Sequence, residues 1–120
     1  MYIALATTTP TDTTTGATLA EVSGGNYSRQ AVVSASTTWS STQGDNTVPS
    51  TGTGGTTSNL AAITWSGVTW GATVQAVAIL DGGTPGAGNM LFWGALSSSK
   101  VVSSGDTFTF SISSLSVQLD

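Results

Sequence analysis

The chain alternates polar and apolar residues over short stretches, and no stretch keeps apolar residues at helical spacing for more than a turn or two. Tyr2–Thr8 opens as a strand, which Pro10 stops and a Thr-rich loop follows to Gly16. Residues Tyr27–Thr37 set Arg29, Ala31, Val33 and Ala35 against Ser28, Gln30, Val32 and Ser34, a period of two. Leu60–Trp65 predicts a further strand with Ile63 and Trp65 on one face. "TVQAVAILD", Thr73–Asp81, is apolar almost without interruption, as expected of a central strand buried on both sides. Met90–Leu96, Val101–Val102, Thr107–Ile112 and Leu115–Leu119 complete the set, with turns at 103–106 and 113–114.

Eight short strands with closely spaced turns predict an all-β fold: a single antiparallel β-sandwich, jelly-roll-like, spanning residues 1–120. Residues 1–20 form its N-terminal strand and Thr-rich loop. Residues 40–59, "SSTQGDNTVPSTGTGGTTSN", have almost nothing to bury and read as an extended polar loop. Within it Thr47 and Val48 are expected to add a short strand to a neighbour's edge.

Composition narrows the function. Charged residues are 7% of the chain, and the net charge is −4. Arg29 and Lys100 are the only cations, so no basic cluster exists to hold phosphates and direct nucleic-acid binding is not expected. Without Cys or His, disulfides, thiolate chemistry, His-bearing zinc sites and a His-based triad are excluded. No apolar run is long enough to span a membrane, and the N-terminus lacks the positive region of a signal peptide. The chain is expected to be synthesised and folded in a cytoplasm.

Candidate chemistry is thin. Ser97-Ser98-Ser99-Lys100 fits the S-x-x-K spacing of lysine-assisted serine hydrolases, but that motif needs a helix start, and here it reads as a polar hairpin tip. Asp45, Asp81 and Asp106 each sit beside Gly or Asn without calcium-loop spacing, so no metal or cofactor is expected. Glu21 with an Asp offers no fixed carboxylate pair, and no catalytic residue is assigned. Gly105-Asp106-Thr107 is expected to be a tight turn with the Asp106 carboxylate accepting backbone N–H bonds. Trp65 and Trp93 lie in apolar strands and read as core, whereas Trp39 and Trp70, beside loops, are candidates for a subunit interface or a glycan-stacking platform. Arg29 either reads an anionic ligand or pairs with Glu21 or a turn Asp while stacking on Tyr27. The scarcity of charge favours the structural pair.

Three blocks, "YIALATTTPTDTTTGATLAEVSGGNYSRQAV", "ITWSGVTWGATVQAVAILD" and "GGTPGAGNMLFWGALSSSKVVSSGDTFTFSISSLSVQLD", resemble small structural proteins of tailed-phage virions of the tail-fibre-like and head-decoration kind. Residues 38–58 are longer and more polar than that resemblance implies. The resemblance implies a non-enzymatic β-sandwich virion protein. Its preferred form is a capsid decoration protein on the capsid surface, homotrimeric by analogy with local threefold axes and bound to the major capsid protein. The alternative is a tail fibre or tail-associated protein with glycan binding.

Overall fold

The computed structural model describes residues 1–35, 38–39 and 56–118. Among them the chain is all-β and its strand pairs are antiparallel, as the alternation predicts. Strands β1 (Tyr2–Ala6), β2 (Gln30–Ala31), β5 (Ala72–Leu80) and β6 (Met90–Val102) form a four-stranded sheet in the order β2-β1-β5-β6. Strands β3 (Thr56–Ser58) and β8 (Ser116–Gln118) form one two-stranded sheet, and β4 (Ile63–Trp65) and β7 (Phe108–Phe110) another. The chain divides into two compact units, Met1–Val32 with Trp65–Phe108 and Val33–Thr64 with Thr109–Asp120.

In the first unit, β5 lies between β1 and β6 and is the central strand its apolarity predicts. Its register with β1 runs from Tyr2 opposite Leu80 to Ala6 opposite Ala76. Because side chains alternate across a sheet, Ala4, Ala6, Ala76 and Ala78 share one face, and Ile3, Leu5, Val77 and Ile79 the other. The alanine face is shallow enough for the incoming loop to lie close, and Leu19 packs there with Leu80 and Met90. In the second unit Asn59 is buried and fully engaged. Its Nδ2 donates to Ala61 O and Ser111 O, and its Oδ1 accepts from Leu115 N. A single side chain thereby satisfies three backbone groups that no strand reaches.

Three expectations change. Of the strand expected over 27–37, Gln30–Ala31 is strand among the described residues; Ala35 O accepts from Thr38 N and Trp39 N, and residues 36–37 lie outside the described residues. Ser97–Lys100 is not a hairpin tip. It belongs to β6, which is one strand from Met90 to Val102. Val74 faces Lys100 and Ala76 faces Ala95, five steps on β6 against two on β5, so residues 96–99 bulge opposite Gln75. The polar loop expected over 40–59 ends earlier, since Thr56–Ser58 pairs with β8 and Asn59 bridges Trp39; residues 40–55, Thr47 and Val48 included, lie outside the described residues. The last strand, expected over Leu115–Leu119, is Ser116–Gln118, and Leu119 lies outside the described residues.

Candidate functional site

β1 needs partners along the edge where β2 leaves it. β2 covers only Tyr2 and Ile3. Beyond them Val22 N donates to Leu5 O, Thr7 N donates to Ala20 O, and the Leu5 N–H is taken by the Tyr27 hydroxyl at 3.0 Å. That hydroxyl in turn donates to Glu21 Oε1 at 2.9 Å. Arg29 closes the network with two parallel bonds to Glu21, Nε to Oε1 at 2.9 Å and Nη2 to Oε2 at 2.8 Å. Its Nη1 donates to Gly82 O at 2.7 Å and to Ala87 O at 3.0 Å. Four directed bonds from one planar guanidinium hold a carboxylate and both arms of the 81–89 loop.

This geometry answers the question the lone arginine poses. Its side chain is 0% exposed and that of Glu21 6%, so the pair is enclosed and the guanidinium offers no face to an external anion. Tyr27, Glu21 and Arg29 come together as expected, but Tyr27 meets the pair through its hydroxyl, and its ring packs edge-on against Trp70. Burial is the main cause that pushes the Tyr27 phenol well above its ordinary value.

The loop that Arg29 grips is also tied at its neck. Asn89 N donates to Asp81 Oδ1 and Asn89 Nδ2 to Asp81 Oδ2, both at 2.7 Å. These bonds, the side-chain one first, hold the exposed Asp81 carboxyl below the usual carboxylate value. Gly105-Asp106-Thr107 forms the expected turn. Ser103 N donates to Asp106 Oδ2 at 2.8 Å, and Gly105 takes φ 94°, which favours glycine. Among the described residues no three acidic side chains gather as a metal site would require.

The tryptophans exchange roles. Trp39 and Trp70, the candidates for a glycan platform or interface, are each 3% exposed and present no ring face to a sugar. Trp65 is core as expected, its Nε1 donating to Ser28 O and its ring edge meeting Phe108. Trp93, read as core, is 39% exposed on β6, beside exposed Leu91 and Phe92. Apolarity alone cannot distinguish a central strand from an edge strand, and among the described residues β6 lies at one edge of its sheet.

An antiparallel β scaffold whose arginine is buried as a fastener, and whose apolar side chains lie bare on a sheet edge, has the parts of an assembly component. The family described as podophage GP4 fiber I protein gp80 matches residues 1–118, and the chain belongs to this family of phage virion proteins. No curated protein matches it.

Proposed function

We propose that the chain is a non-enzymatic structural component of the phage fibre. The observation that carries this reading is the match of a fibre family over residues 1–118. The geometry supports it: the strongest polar interactions are spent on locking loops to a sheet, while the exposed apolar side chains of β6 suit contact with protein. Compared with the capsid-decoration reading preferred from the sequence, the fibre reading is closer to the family description. Glycan stacking by Trp39 and Trp70 loses its basis, since both are buried.

The test is assembly of particles without this chain. The fibre reading predicts heads of ordinary stability that lack fibres and adsorb poorly to cells. Full adsorption with heads that rupture on mild heating would instead favour decoration, with the major capsid protein as partner.

A further inference from the structure

Of all the aspartates and asparagines in the chain, Asp81 alone is followed by glycine. An Asp-Gly bond carries its own route to modification. The Gly82 amide nitrogen attacks Asp81 Cγ, the carboxyl oxygen leaves as water with the amide proton, and a cyclic imide forms. Water then opens the imide at either carbonyl, restoring aspartate or giving isoaspartate. The water lost is regained, so no co-reactant is needed. Glycine eases the step because it has no side chain to hold the carboxyl away and its backbone turns freely. Asp81 is exposed and stands at the start of the β5–β6 connection, where chain ends of this kind are open to such attack.

The structure restrains each part of this route. Ring closure needs the carboxyl carbon to swing onto Gly82 N. Both carboxylate oxygens are instead held by residue 89, whose N donates to Oδ1 and whose Nδ2 donates to Oδ2, each at 2.7 Å. In return Asp81 N donates to Asn89 O at 3.1 Å. Donors on both oxygens favour the ionised carboxylate, which is a far weaker electrophile than the acid. Gly88 lies against both reacting groups: a Cβ there would sit 2.8 Å from Asp81 Oδ1 and 3.4 Å from Gly82 N. On the far side Arg29 Nη1 donates to Gly82 O and Ala87 O, and Gly16 N donates to Gly88 O. The Gly82 peptide is therefore not free to turn and meet the carboxyl.

We propose that the Asp81–Gly82 bond is a latent isomerisation site, and that Asn89 keeps it closed by holding the Asp81 carboxylate off the Gly82 amide. The consequence of opening it follows from the geometry. Isoaspartate routes the main chain through the side chain, adds a methylene before Gly82 and carries Gly82 O away from Arg29, so the fastener of the loop is released. A virion protein is not replaced once the particle has left the cell, and such damage accumulates for as long as the particle persists. Asn89 thus sets the lifetime of the loop that Arg29 grips.

Prolonged warm incubation of the intact protein at neutral pH tests this, with isoaspartate at position 81 measured by peptide mapping and by enzymatic methylation of isoaspartyl carboxylates. The folded parent is expected to isomerise about tenfold more slowly than the same chain unfolded in urea, because closure of the imide requires the loop to open first. That comparison needs no substitution. Asn89→Ala, incubated well below its own melting midpoint, is expected to lose most of the protection and to take up heavy oxygen from labelled water at Asp81 as the imide reopens. Gly82→Ala added to it is expected to slow the step again without restoring either bond, since a Cβ at Gly82 meets only Gly88 Cα, at 3.8 Å. A folded parent that isomerises as fast as the unfolded chain, an Asn89→Ala variant as closed as the parent, or isomerisation in that variant indifferent to Gly82→Ala would overturn the proposal.

Discussion

At the residue scale, Arg29 and its partners form a unit that breaks when any member is removed. Arg29→Ala strands the Glu21 carboxylate and the carbonyls of Gly82 and Ala87. We expect a loss of about 3–5 kcal/mol, seen as a lower denaturation midpoint, with little recovery in Arg29→Lys because an ammonium cannot reproduce the parallel bonds. Tyr27 adds a pH dependence of known sign. Its folded value is raised above the ordinary 10.0, so its contribution is complete below pH 10 and falls as pH rises beyond it, where the unfolded phenol ionises first. Tyr27→Phe is expected to cost about 1–3 kcal/mol by orphaning the Leu5 N–H, and to flatten the alkaline slope in melts between neutral pH and pH 11. The triad was legible because charge is so scarce that Arg29 had few partners to choose from. Its grip on Gly82 and Ala87 was not, because carbonyl acceptors look the same at every position of a sequence.

At the element scale, periodicity located β1 and β5 within a residue or two and β4 within three, since each has an apolar face to bury. It missed β3, whose "TTS" has no apolar residue, and split β6 where the serines of the bulge imitate a turn. Asn59 was equally hidden, an asparagine in a polar stretch that proves to be an internal fastener. Asn59→Asp keeps the shape and the acceptor but removes the two donors, facing a carboxylate toward the carbonyls of Ala61 and Ser111. The expected cost is about 2–4 kcal/mol at neutral pH, partly recovered in acid as the carboxyl protonates. Chemical denaturation at both pH values checks it.

At the scale of the whole molecule, the chain combines internal locking with apolar side chains left exposed along β6. The threefold arrangement expected from shell symmetry came from analogy and not from any residue of the chain. Apolar context placed Trp65 correctly in the core, yet Trp39 and Trp70, the two tryptophans marked for contact, are buried, and Trp93, also assigned to the core, is exposed. Sheet order decides which apolar strand faces outward, and sheet order depends on pairings distant in sequence. The central claim is that the chain is built into the fibre of the particle. Gold-labelled antibody against it on purified, intact virions tests that claim most directly. Label on the fibres with bare heads is expected; label spread over the head surface with unlabelled fibres would overturn the fibre reading.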